Sequence, residues 1–474
     1  MTADRNAQMS ALIDRWRSEL TENLCRLVRI PSVQQPPQPG KPFGEPVDRA
    51  LQFVLDIATQ SGFSATSLDG YFGYAEYGDG AELVGALGHV DVVPEGDRSD
   101  WSTDPFAGVV LDGRVIGRGA TDDKGPVLSV LYGLRAVAML GDPPKRRFRL
   151  MLGTNEESGW GGIAHYLAHD ETPTCGFAPD GMFTVANREK GIVASRLSLP
   201  NPYPRGDGPF VLIDISGGKN MNSVPDSAQA IVCLDPSAAR RLPATLDSVQ
   251  TTYPWAQIGI SQSDGETRIH SAGHTAHAMT PSTGRNAIHP LLELLIRLDP
   301  ETGERSPLAQ LARRIAPETD GRGLGMRWSD ATSGELTVNL GTLRTVGSTL
   351  EASLDIRSPV SRSCSDVERG LQEAFAGTDV TVKTLRTMEP LYVPDDHPLV
   401  QTLCHAYESV TGKPSVLHAI GGGSYARAFQ PCVSFGAVHP GAEIPIHRAD
   451  EYITIEDLTR NAKIYAAAID RLVR

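Results

Sequence analysis

An apolar run at residues 83–93, LVGALGHVDVV, carries a histidine and an aspartate near its end and constrains the fold more than any other stretch. A strand that is apolar on both faces must be covered on both faces, which is the habit of parallel sheets packed between helices. The surrounding pattern agrees. Helical spacing of apolar residues at 7–29 and 47–60 precedes it, with a strand expected at 72–77 and a hairpin at 109–116 turning through Asp112-Gly113. A helix at 126–140, a strand at 148–153 and a helix at 160–169 follow. Strand alternating with helix predicts an α/β layer with a mostly parallel central sheet.

After about residue 190 the regime changes. Strands are expected at 193–199, 210–215, 228–234, 336–345 and 350–356, with helices at 286–298 and 367–375 among them. This is an α+β pattern, and it holds few candidate ligands. The last part returns to α/β character, with helices at 398–410 and 455–472 around a strand at 433–435. With 474 residues, two domains are the natural expectation. The order predicts one domain inserted into another: residues 1–187 and 389–474 form one body, interrupted by 188–388.

Open α/β sheets bind ligands beyond the carboxyl ends of their strands. His89 and Asp91 stand there, and a period of two puts both on one face. Glu156-Glu157 follows the strand at 148–153, Asp180 follows one at 175–178, and His447 lies near the end. The stretch GRGATDDKGP at 117–126 adds two adjacent aspartates between glycines. Carboxylates and imidazoles gathered at one sheet edge cost several kcal/mol each unless compensated, and divalent metal is the simplest compensation. Imidazoles with carboxylates suit zinc, cobalt or manganese better than calcium or magnesium. A metal pair about 3.5–4 Å apart, bridged by one aspartate of 117–126, would clamp the intermediate of amide hydrolysis. A spare glutamate would take the proton from the attacking water. The chain reads as a hydrolase.

Other motifs are set aside. His165 and His169 stand four apart on a helix but have no adjacent glutamate. Gly217-Gly218-Lys219 and Gly421-Gly422-Gly423-Ser424 lack the ending of a phosphate loop, and no G-x-S-x-G elbow occurs. The net charge of −13, with no basic run, argues against a nucleic-acid partner. Six scattered cysteines without a C-x-x-C pair indicate a reducing compartment. The N-terminus lacks a signal-peptide core, and no run of about 18 apolar residues would span a membrane. A cytoplasmic protein is expected.

The ordered series GHVDVVPEGD, GRGATDDKGP, TNEESGWGG, APDGMFTVANREKG and IPIHRADEYI resembles the co-catalytic zinc peptidases that include aminoacylases, carnosinases, succinyl-diaminopimelate desuccinylases and PepV-type dipeptidases. The resemblance runs from the first helix to the last. It implies a zinc-aminopeptidase-like catalytic domain with an inserted lid domain, and two zinc ions per chain, with cobalt or manganese as substitutes. By the same resemblance His89 and Asp180 hold one zinc, Glu157 and His447 the other, and Asp122 bridges them through a cis peptide to Asp123. Glu156 is the general base and Asp91 orients His89. In GHTAHAMTPSTGRNAI, His277 matches the lid histidine that stabilises the oxyanion. Asn222 and Arg357 match the groups that grip the substrate carboxylate, and Gly422 and Gly423 belong to a glycine-rich substrate loop.

Within the family two features favour the dipeptidase branch. The ligand after the glutamate pair is Asp180, where deacylases and desuccinylases tend to carry glutamate. The insertion at 188–388 is long, as in PepV-type enzymes whose doubled lid imitates a missing partner subunit. The implied activity is hydrolysis of small dipeptides by a monomer, with a dimer as the other possibility. The alternative activity is an N-acyl-amino-acid or succinyl-diaminopimelate amidohydrolase on the same metals.

Overall fold

The apolar run forms the strand Leu83–His89, buried at every position. It leaves the sheet after His89, and the N–H of Val92 turns to the carbonyl of Ser32 at 3.1 Å. These features come from a computed structural model, which describes residues 2–204, 209–300 and 303–474. Residue 1 of the expected 1–187 segment and residues 205–208 and 301–302 of the expected insertion lie outside the described residues. The chain divides into two units, Met1–Asn187 with Val393–His418 and Ser424–Arg474, and Arg188–Tyr392 with Ala419–Gly423.

In the first unit the strands Arg147–Gly153, Leu83–His89, Cys175–Ala178 and Cys432–Phe435 lie side by side and run parallel. Outside them the pairing is antiparallel, with Phe72–Tyr77 and Ser64–Leu68 on one side and Val185–Glu189 on the other. The sheet is thus mixed, parallel only at its centre. The apolar pattern located the centre because those strands are covered on both faces. Ser64–Leu68 is half-exposed and has no such signature.

Helix Lys124–Met139 starts directly after the aspartate pair and is buried on nearly every side. A helix that is apolar all round must be enclosed. Helices Thr2–Val28 and Ile455–Leu472 pack against it and against each other. The last helix is capped by Thr454, whose side chain accepts the N–H of Asp457 at 2.9 Å.

The second unit is an eight-stranded antiparallel sheet in the order Gln257–Ser263, Glu266–Ala272, Ser227–Leu234, Phe210–Gly217, Thr337–Val346, Thr349–Ser358, Gly191–Pro200, Thr381–Met388. Alternate residues such as Val193, Leu197, Leu343, Leu350 and Leu354 form a core with helices Ile288–Leu298, Pro307–Ile315 and Cys364–Phe375. The other face of these strands carries Ala194, Arg196, Ser353 and Asp355 instead. Helix Pro236–Thr252 escaped the periodicity reading because it buries only Ala238, Leu242 and Val249 and contains Pro243.

One buried group in this unit makes stability depend on pH. His289 is enclosed, its Nε2 has no hydrogen-bond partner, and burial alone lowers its pKa to about 4. The unfolded chain therefore takes up a proton near pH 6.5 that the folded chain refuses, so stability is complete above that pH and declines as pH falls toward 4. The loss attributable to His289 is on the order of 3 kcal/mol. Denaturant unfolding of wild type and His289→Gln between pH 7 and 4 should give curves that converge as pH falls. Parallel curves would contradict this account.

Candidate metal centre

His89 closes the central strand with its side chain 1% exposed. Its Nδ1 lies 2.9 Å from the main-chain carbonyl of Asp91, which can only accept, so Nδ1 carries the ring proton. The preceding glycine is required: a Cβ at Gly88 would collide with the Asp123 carboxylate and with Val127. The Asp123 Oδ2 that occupies this space accepts the N–H of His89 at 3.2 Å. The peptide between Asp122 and Asp123 is cis.

Asp122 spans two imidazoles. Its Oδ1 is 3.1 Å from His89 Nε2, and its Oδ2 is 3.0 Å from His447 Nε2. His447 also faces Glu157 Oε1 at 3.1 Å. The ligand atoms of His89, Asp122 and Glu157 all lie within 4.8 Å of one another.

Asp91 acts in two directions. Its main-chain carbonyl holds His89, with its carboxylate 3.6 Å from the same nitrogen. The two carboxylate oxygens accept the backbone N–H groups of Glu156 and Glu157, each at 3.1 Å. The glutamates then diverge: Glu157 turns to His447, whereas Glu156 Oε1 accepts the indole N–H of Trp160 at 3.2 Å. Asp180 follows the strand Cys175–Ala178 and influences the cluster through its charge, without an ion pair to either imidazole.

The electrostatics describe a site short of positive charge. Burial and the neighbouring charge of Asp122 push Asp180 up to about 7. Burial also raises Glu156 well above the usual carboxylate range, helped by Asp180 and Glu157, and it raises Glu157. Burial would lower His447, but Asp122 and Glu157 outweigh it and lift the imidazole to about 11. His89 is raised well above its ordinary value in the same way, by Asp122 and Asp91 against burial.

The residues fit a metal. With a proton at Nδ1, His89 turns Nε2 toward a carboxylate oxygen at 3.1 Å, and a metal bound there would take the place of the proton that this raised imidazole otherwise shares with Asp122. Ligand atoms about 3 Å apart have the spacing of neighbouring vertices of a tetrahedron with arms of about 2.0 Å.

Behind this cluster stand residues that sequence reasoning missed. Glu451, fully buried, accepts the N–H groups of Thr121 and Asp122 on Oε1 at 3.0 and 3.1 Å. Its Oε2 receives the Arg118 guanidinium at 2.7 Å, and Arg118 is only 2% exposed. Lys124 Nζ is buried and donates to the carbonyls of Leu27 and Ile30 at 3.1 and 2.8 Å. Tyr425 packs edge-on to His89 and Trp160, against Gly153, where any Cβ would strike its ring. The available signal was Arg118 itself: an arginine in a buried glycine-rich turn needs an acid, and Glu451 stands in the motif that closes the series.

The remaining expected residues belong to the second unit. Asn222 is exposed and its carbonyl accepts the N–H of Ala278 at 2.9 Å, beside His277. His277 Nδ1 accepts the N–H of Met279 at 3.0 Å, so a neutral ring carries its proton on Nε2. Arg357 is buried, doubly bonded to Asp355 at 2.5 and 2.7 Å, and donates to the carbonyl of Gly421 at 2.7 Å. Gly422 and Gly423 follow in that loop, and nothing in the structure lies within 4 Å of a Cβ built on Gly422. Asn222 and Arg357 line one cavity.

The chain is 36% identical over 463 residues to YtjP of Bacillus subtilis strain 168, covering 97% of this chain and 98% of the relative. It is 33% identical over 447 residues to the Beta-Ala-Xaa dipeptidase of Lactobacillus delbrueckii subsp. lactis, covering 91% of each. Among solved structures, human carnosine dipeptidase 1 shares the fold, with a TM-score of 0.57 and 16% identity over 99% of this chain and 98% of that one. The model of peptidase family M20/M25/M40 matches residues 85–471, a span that holds every residue of the cluster, and the chain belongs to that family.

Proposed function

We propose that this peptidase is a dipeptidase that works with two zinc ions, replaceable by cobalt or manganese. The likeness, over 91% of the chain, to a relative named Beta-Ala-Xaa dipeptidase carries the reading of the activity. His89 and Asp180 would hold one ion and Glu157 and His447 the other, with Asp122 shared between them. That reading is supported by the way each Asp122 oxygen faces a different imidazole. When bound, the ions supply Lewis-acid activation of water and of the scissile carbonyl.

The chain's own groups do the rest. Glu156 is the base: the indole of Trp160 holds Oε1, and Oε2 takes the proton of the attacking water and passes it to the departing amine nitrogen. The hydroxyl goes to the acyl carbon as the C–N bond breaks. Asp91 keeps both glutamates in register through their backbone N–H groups. His277, with its proton on Nε2, donates to the oxyanion. Asn222 and Arg357 take the α-carboxylate of the substrate, with Gly422 and Gly423 leaving room for its backbone. The first unit serves as the catalytic domain and the second, the expected insertion 188–388 extended by residues 389–392 and 419–423, as the lid. We take the chain to act as a monomer in the cytoplasm, where its six free cysteines stay reduced. No described helix is long and apolar enough to cross a membrane.

A panel of dipeptides assayed with each metal, beside N-acetyl amino acids and N-succinyl-diaminopimelate, tests the activity. Dipeptide turnover should exceed deacylation. Clear deacylation without cleavage of any dipeptide would transfer the chain to the amidohydrolases.

A further inference from the structure

The face of the second unit's sheet that lacks the helical core carries a cavity of about 620 Å³. It exists because the central strands turn small side chains to this side, Ala194, Thr342 and Ser353, with larger ones around them. The hydroxyls of Thr342 and Ser353 satisfy each other at 2.6 Å, so this part of the floor is polar and internally paired.

The rim is strongly one-sided in charge. Five basic residues line the cavity against two acidic ones, in a chain whose net charge is −13. Both acids are already engaged: Asp355 holds Arg357 at 2.5 Å, and Glu351 lies 3.6 Å from Arg196. Lys219, Arg344 and Arg386 have no acidic partner among the described residues. Arg386 donates only to the sulfur of Met388, at 3.3 Å. Arg344 stands opposite Glu351 in the ladder yet makes no ion pair with it. All three are exposed. A recess lined by one sign of charge concentrates ligands of the other sign. Lys219, which belongs to a glycine-glycine-lysine motif with no phosphate-loop ending, has a use here.

The same cavity contains Asn222 and Arg357, to which the proposed function assigns the α-carboxylate. That carboxylate accounts for one negative charge and leaves three cations unanswered. We infer that the cavity receives a second carboxylate, on the side chain of the substrate's C-terminal residue, and that the enzyme prefers dipeptides ending in aspartate or glutamate. Arg344, Arg386 and Lys219 are the specificity groups. Exposed Leu385, at 42%, offers an apolar ledge for the methylenes that carry the acid. The inference rests on the dipeptidase reading and on the placement of the α-carboxylate at Asn222 and Arg357.

Isosteric substrates separate charge from shape. kcat/KM for Ala-Glu should exceed that for Ala-Gln, and Ala-Asp that for Ala-Asn, by about tenfold or more at low ionic strength. The ratio should shrink with added salt, since the cations are exposed. In Arg344→Gln/Arg386→Gln, and separately in Lys219→Gln, the acid-to-amide ratio should collapse toward one. These positions are on the surface, and circular dichroism checks the fold of each variant. A wild-type ratio near one with brisk cleavage of Ala-Gln overturns the inference and leaves the dipeptidase reading standing. A high wild-type ratio that survives in both variants also overturns it, because the acid is then read elsewhere. Failure to cleave any of the four substrates with metal present overturns both.

Discussion

The Glu156→Gln variant should bind metal as wild type does and lose about 10²–10⁴-fold in kcat, the usual contribution of a positioned general base. The change keeps the shape of the side chain and an oxygen for the Trp160 indole, while removing the group that accepts the proton. The backbone N–H groups of Glu156 and Glu157 still reach Asp91, so the Glu157 carboxylate stays beside His447. Metal content by plasma emission and steady-state kinetics on one dipeptide decide the matter together. A variant that comes out metal-poor with proportionate loss of activity would mean that Glu156 is the ligand and Glu157 the base.

Glu451→Ala should have the second large effect, although the side chain touches no substrate. Removing it strands the Arg118 guanidinium in a buried site and leaves the N–H groups of Thr121 and Asp122 without their acceptor. Breaking a buried pair by deleting one partner costs about 3–5 kcal/mol. The metal-free variant should therefore unfold at a clearly lower temperature. Metal affinity should also fall by about 10–100-fold, because Asp122 loses the support that orients it. Glu451→Gln retains an acceptor for both backbone N–H groups and should recover much of the metal affinity but less of the stability, since Arg118 stays uncompensated. Competition against a chelating dye measures the affinity, and calorimetry of the metal-free protein the stability. Wild-type values for Glu451→Ala in both would remove it from the site.

Much of the site was legible because its residues sit where strands end. His89 ends, and the pair Glu156-Glu157 follows, strands whose apolar runs are unmistakable, and the aspartate pair lies just before a helix buried on nearly every side. Residues that depend on partners distant in sequence were not legible. Glu451 lies within a polar segment and resembles a surface acid, and nothing local reveals that Thr121 and Asp122 bury it. Tyr425 follows three glycines, a context that suggests a flexible loop, yet its ring fills the space above Gly153. In the second unit, strand Gln257–Ser263 is largely exposed, and its alternation is confined to Ile258 and Ile260, too short a pattern to mark a strand. The strand Leu83–His89 ends before its apolar run does because Val90 and Val92 are buried in the turn beyond the sheet, where hydrophobicity no longer reports strand.

The hydrogen bonds from Thr121 and Asp122 to Glu451 join residues about 330 positions apart, and His447 reaches Asp122 and Glu157 over a comparable span. During synthesis, the strand that ends in His89 and the turn that carries Glu157 leave the ribosome long before the segment that completes their surroundings. Loops of this length close slowly, and contacts between distant segments form late. A chain cut short before the final motif therefore lacks His447 and the clamp on Asp122. His447 and Glu451 lie within the last 30 residues, so the cluster is complete only after nearly the whole polypeptide has been made.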